Sequence, residues 1–159
     1  MRIELEKLTW NSPEAVGLKR EAARSPLFHF ASENEARKSA GTFGRGKFSL
    51  SLDGDWDFLY FEDPLSVPDD LASDKLPWKK ITVPGCWDMQ GYDYPHYTNS
   101  AMPWKETPPA TPKRNPTGVY RTFFRIPSDW KGRRVLLRFD GAESVLYALV
   151  NGVPAGFTK

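Results

Sequence analysis

The chain of 159 residues has one cysteine, Cys86, and two histidines, His29 and His96, and no apolar run near the roughly 18 residues of a membrane span. An internal disulfide framework, a Cys-rich zinc site and a membrane-spanning helix are thereby excluded. Charge of one sign is also lacking: 22 Lys and Arg against 20 Asp and Glu leave +2, too balanced for the usual footprint of a nucleic-acid binder. Neither nucleic acid nor a membrane is expected as a partner. The start, Met1 to Glu6, lacks the apolar stretch of a secretory signal, which favours a cytoplasmic location or a leader already removed, a periplasmic one included. Helix-favouring composition is scarce too. Fourteen Pro, 12 Gly, six Trp, six Tyr and ten Phe point to strands and loops.

Along the chain, residues 1–47 read as an extended arm with at most one short helix, and residues 48–159 as a β-domain. Ser32 followed by Glu35 fits a capping box and predicts a helix from about Glu33 to Arg37. Phe48, Leu50 and Leu52, then Trp56, Phe58 and Tyr60 alternate about Asp53-Gly54, which predicts a β-hairpin. A short strand, Lys80 to Val83, is stopped by Pro84-Gly85. Cys86 to Gly118 shows no steady period, is rich in proline and aromatics, and reads as a long functional loop. Three strands are predicted after it: Val119–Ile126, Arg134–Asp140 and Ser144–Val150. The last is apolar on both faces, as a central strand would be, and runs into Asn151-Gly152, a strong hairpin signal. An antiparallel β-sandwich follows, with the chain ending soon after that turn.

Most chemical motifs fail on mechanism. Gly41 to Lys47 has the spacing of a phosphate-binding loop, but Phe48 stands where Ser or Thr would hold magnesium, and a strand is predicted where a helix is needed. His29 and His96 lack ligands or nucleophiles at motif spacing, and there is no G-x-S-x-G elbow. Cys86 carries no signature of a catalytic thiol and is expected to be packed and inert. Asp53, Asp55 and Asp57 would share an outward strand face, as solvated carboxylates do, and lack a calcium-binding loop. Residues 109–159 carry nine basic and three acidic groups, but Arg121 and Arg125 lie opposite the apolar strand face, where solvated arginines belong. The aromatic loop is the informative part. Sugars offer flat C–H patches beside hydroxyls, so a sugar site needs aromatic faces and planar amides or carboxylates. Tyr92, Tyr94, His96, Tyr97, Asn99 and Trp104 supply these within one loop. On composition alone, the same aromatics could equally pin the loop to the core.

Several segments in order resemble the N-terminal region of glycoside hydrolase family 2 enzymes of the β-galactosidase type. They are Trp10-Asn11-Ser12-Pro13-Glu14 with Gly17; Leu50 to Phe58; Val83-Pro84-Gly85-Cys86-Trp87 with Gln90-Gly91-Tyr92; Tyr97-Thr98-Asn99; Asn115 to Arg121; and Phe139-Asp140-Gly141 through Val150-Asn151-Gly152 to Gly156. The resemblance implies a jelly-roll, galactose-binding-domain-like β-sandwich, truncated at its C-terminus, that supports a separate catalytic barrel. It implies that Asn99 bonds galactose hydroxyls, with Tyr97 and Trp104 beside it, and that residues 1–47 serve subunit and domain contacts. It further implies a retaining β-galactosidase as the parent, removing terminal non-reducing β-D-galactose through two glutamates on the barrel. Neither glutamate lies in this chain, so no catalytic residue is assigned here and the chain alone is expected to be inactive. The magnesium and sodium of the family's catalytic part are likewise assigned outside it, with no cofactor expected in this chain. The implied partners are a β-galactoside, the barrel and remaining strands, and further copies of the parent in a homo-oligomer. Family relatives also cleave β-glucuronides and β-mannosides, and where many carry Val-Thr-Tyr-Pro after the asparagine this chain has Ser100-Ala101-Met102-Pro103-Trp104. A free carbohydrate-binding module and a structural assembly fragment are the alternatives.

Overall fold

The computed structural model describes residues 10–25, 28–40, 46–97, 99 and 101–159. Most of the Gly41–Lys47 motif, the beginning of the arm and Thr98 lie outside the described residues. The all-β expectation holds: among the described residues there are two antiparallel three-stranded sheets and one α-helix, of six residues. The elements are β1 (Gly17–Leu18), α1 (Glu33–Lys38), β2 (Gly54–Phe61), β3 (Lys79–Val83), β4 (Thr117–Arg121), β5 (Leu146–Val150) and β6 (Val153–Thr158). One sheet has the order β3-β2-β4, the other β1-β6-β5. No helix among the described residues is long and apolar enough to cross a membrane.

The helix begins where its cap predicts. The Ser32 hydroxyl accepts the Glu35 N–H at 3.2 Å, while Glu35 reaches one residue further back than a capping box would, accepting the Ala31 N–H at 2.6 Å. The same carboxylate accepts the Lys47 N–H, and these two backbone bonds hold Glu35 below the ordinary carboxylate range.

The hairpin expected about Asp53-Gly54 is not formed, because β2 spends both edges elsewhere: β3 pairs along one side and β4 along the other. Residues 48–52 approach without joining a ladder, and Leu52 instead accepts the Trp56 indole N–H at 2.7 Å. Trp56, Phe58 and Tyr60 share one face of β2 with Tyr120, which pairs with Phe58; the Phe58 and Tyr120 rings lie 4.7 Å apart. Phe58 and Ile81 are buried on this face and Leu59 on the opposite one. The other face carries a correction. Asp57 and Arg121 are not solvated: they face each other across β2 and β4, and both side chains are only 17% exposed. Arg121 lies 4.2 Å over the Trp78 ring and also meets Asp74, while Lys80 bonds Asp57 at 2.7 Å.

In the second sheet, Val150 pairs with Val153 across Asn151-Gly152, whose φ angles of 50° and 75° are those of a tight two-residue hairpin turn. β6 rather than β5 is the central strand, because β1 takes its other edge: Gly17 pairs with Thr158 and Leu18 with Phe157. The arm thus contributes a strand. Predicted strand residues 122–126 and 134–140 form no ladder in the structure. Their alternation defines faces, but a strand also needs a hydrogen-bonding edge, and none among the described residues is offered to them.

Candidate functional site

The long connection from β3 to β4 is pinned at its base before it turns outward. Gln90 behaves as a strand residue by side chain: it accepts the Thr82 N–H at 2.8 Å and donates to the Thr82 carbonyl at 3.0 Å. Gly85 must be small for this, since a Cβ there would meet the Gln90 amide at 2.7 Å and the Thr82 carbonyl at 2.9 Å. Trp87 and Tyr92 then lie on the aromatic face of β2. The Phe58 ring is 6.3 Å from Trp87 and 4.6 Å from Tyr92, and Tyr60 flanks both at 5.9 and 6.2 Å. Trp87, not Cys86, fills this space; Cys86 is exposed, contrary to the packed thiol expected, with the larger neighbouring ring taking the core position.

Beyond Tyr92 the loop leaves the core and is held by charge. The Asp93 side chain is 2% exposed and meets the Arg114 guanidinium, Nη2 to Oδ1, at 2.7 Å. Arg114 also bonds Glu62 through Nε at 2.6 Å and donates to the Tyr60 hydroxyl at 2.9 Å, so it ties the loop to the end of β2. Burial works to raise the Asp93 pKa, but Arg114, the Tyr94 N–H and His96 outweigh it and leave the carboxylate below its ordinary range. Its bonds to Asp93 and Glu62 raise the Arg114 pKa in turn, so it stays charged. Tyr94 meets two planar groups, with Arg114 at 5.3 Å over its ring and the His96 imidazole stacked at 4.9 Å and 5°. His96 reaches Asp93 at 3.6 Å and Trp104 at 6.0 Å.

The residues singled out from sequence fall at the outer end of this arrangement. Tyr97 is 71% exposed, Trp104 37%, and Asn99 is exposed as well. The structure joins Trp104 to His96 and Tyr94 in one aromatic row; Tyr97 and Asn99 present their side chains to solvent on the same loop. Sequence reasoning missed Asp93, Arg114, Glu62 and the Tyr60 hydroxyl as a group, because 21 residues separate Asp93 from Arg114 and 54 separate Arg114 from Tyr60. No group of three or more His, Cys, Asp or Glu residues that could hold a metal ion occurs among the described residues. Chemically, the loop offers a planar amide, exposed phenol and indole faces and a fixed imidazole, which suits a polyhydroxylated ligand with apolar C–H faces.

Residues 50–159 match the family described as glycosyl hydrolases family 2, sugar binding domain. The chain is similar to the β-galactosidases of Psychromonas ingrahamii (36% identical, 94% of this chain), Pseudoalteromonas haloplanktis (32%, 98%) and Priestia megaterium (34%, 94%). It spans only 14, 15 and 15% of the length of these curated relatives.

Proposed function

Because this chain belongs to the sugar-binding domain family of the family 2 glycosyl hydrolases, we propose that it supplies part of the galactose subsite of a retaining β-galactosidase. The observation that supports this reading most is the loop just described: a base locked into the aromatic core at Tyr92 and an exposed tip bearing Tyr97 and Asn99. A planar amide can bond two neighbouring sugar hydroxyls, and an aromatic face can cover the C–H side of the ring. In the proposed reaction a carboxylate attacks the anomeric carbon while a second carboxyl group, roughly 5 Å away, protonates the departing oxygen; water then releases galactose with configuration retained. Both carboxyl groups are assigned to the rest of the protein, where by the same family likeness the magnesium and sodium ions are assigned too. Asn99 and its neighbours hold the sugar while its ring distorts, and bonds to hydroxyls that strengthen in the transition state lower the barrier.

The exposed apolar residues of 122–140, among them Phe123, Val135 and Leu136, support a second element of the proposal, that the remaining strands and the barrel pack against this segment. By the same family likeness the longer protein is proposed to be a homo-oligomer.

The test is Asn99→Ala in the full-length protein carrying this chain, assayed on an aryl β-galactoside. The kcat/KM is expected to fall by about 10- to 100-fold, roughly 1.4–2.7 kcal/mol, with an unchanged melting temperature. Proton NMR of the first-formed product should show β-galactose. An unchanged kcat/KM removes Asn99 from the site, and α-galactose as first product removes the retaining mechanism.

A further inference from the structure

Between the core anchor at Tyr92 and the tip at Asn99 the chain runs out over solvent, and something must fix its course. Asp93 has φ of +59°, a left-handed conformation that a short polar side chain tolerates when its carboxylate is held. That carboxylate is almost completely buried, and a buried carboxylate without a cation is costly. Arg114 is the cation. Its two ends are used at once, Nε on Glu62 and Nη2 on Asp93 and the Tyr60 hydroxyl, a span that a planar fork provides and a single ammonium does not. The Arg114 plane also backs the Tyr94 ring, whose other neighbour, His96, leads to Trp104.

We infer that Arg114 is a positioning residue of the sugar loop, which through Asp93 and Tyr94 sets where Tyr97, Asn99 and Trp104 meet a hexopyranoside. The inference rests on the galactoside reading above. Arg114 does this work without holding the sheet together. The neighbouring backbone is tied independently, the Asn115 N–H donating to the Glu62 carbonyl at 3.1 Å, and Thr117 to Arg121 pair along β2. Tyr92 is likewise held by Phe58 and by its own N–H to the Trp87 carbonyl at 3.1 Å. Without the guanidinium, Asp93 gains solvation by swinging outward, and it carries Tyr94 and His96 with it while the sheet stays in place.

The experiment compares Arg114→Met, Arg114→Lys, Asn99→Ala and the Asn99→Ala/Arg114→Met double variant in the full-length protein, on one aryl β-galactoside. Arg114→Met is expected to lower kcat/KM by about 10-fold and Arg114→Lys by about 3-fold, with melting midpoints within about 2 °C of the parent. In the Asn99→Ala background the further loss from Arg114→Met should shrink to about 3-fold or less, because one of the side chains that Arg114 positions is gone. A full 10-fold loss in that background, no loss in the single variant, or a midpoint lowered well beyond that range would each overturn the positioning role. If Asn99→Ala has no effect, the galactoside reading falls and this inference with it; if Asn99→Ala is costly and Arg114→Met is silent, only the inference falls.

Discussion

Phe58, Leu59 and Ile81 are 0, 6 and 2% exposed, whereas Phe123, Val135 and Leu136 are 78, 46 and 49% exposed, although alternation enters both stretches, at Trp56-Asp57-Phe58 and at Arg138-Phe139-Asp140. The difference lies in edges and covers. β2 has a strand on each side and a lid of Trp87 and Tyr92 above its aromatic face. Residues 122–140 have neither a ladder nor a lid among the described residues. Alternation therefore states which face a segment would bury, and only pairing and a packed neighbour turn that preference into a strand.

The largest expected effect attacks the closed side of this comparison. Phe58→Ala empties the centre of the aromatic cluster and should cost about 3–5 kcal/mol in urea unfolding. Its counterpart, Phe123→Ala, is expected to cost under about 0.5 kcal/mol in the 159-residue chain and about 2–4 kcal/mol in the full-length protein, where the proposed strands cover it. Equal, small costs in both would mean that the segment stays open. A smaller effect probes the lid. A Cβ at Gly118 would sit 2.6 Å from Trp87 and 2.7 Å from Phe58, two rings with little room to yield. Gly118→Ala should therefore cost about 1–3 kcal/mol, and a neutral result would show that the lid can lift.

The smallest effect concerns the opposite face of β2. The bond from Lys80, aided by Arg121, holds Asp57 below its ordinary value of 3.8. A depressed carboxylate stabilises the fold above that value and loses its contribution as pH falls below 3.8 through the folded-state pKa. Asp57→Asn should remove about 1 kcal/mol at neutral pH and flatten the stability profile in that acid range. A parallel profile for parent and variant would show that the ion pairs contribute nothing.

What could be read from sequence was local. Asn151-Gly152 announces its turn because both residues accept positive φ, and Ser32 announces its helix through a bond three residues away. The aromatic density of residues 92–104 marked the loop, but not how it is held, since Trp87 and Tyr92 reach β2 from a stretch without period. The mistaken hairpin has the same origin: Asp53-Gly54 is a good turn sequence, and nothing near it reveals that β3 and β4 take both edges of β2. Asp57 and Arg121 read as solvated for want of knowing that Trp78 would stack on Arg121 and that Arg121 and Lys80 would close on Asp57.

The pairing of β1 with β6 also orders events in time. Arg20 donates to the Thr158 hydroxyl across 138 residues, so β1, just before it, has no strand to pair with among the described residues until nearly all of this stretch has left the ribosome. At about 5–20 residues per second that delay is roughly 7–28 s, against about 1–10 μs for the β5–β6 hairpin to close once it emerges. Among the described strands β1 thus precedes its partner by most of this chain, and the pace of translation, not the speed of the chain, sets when β1 can join β6.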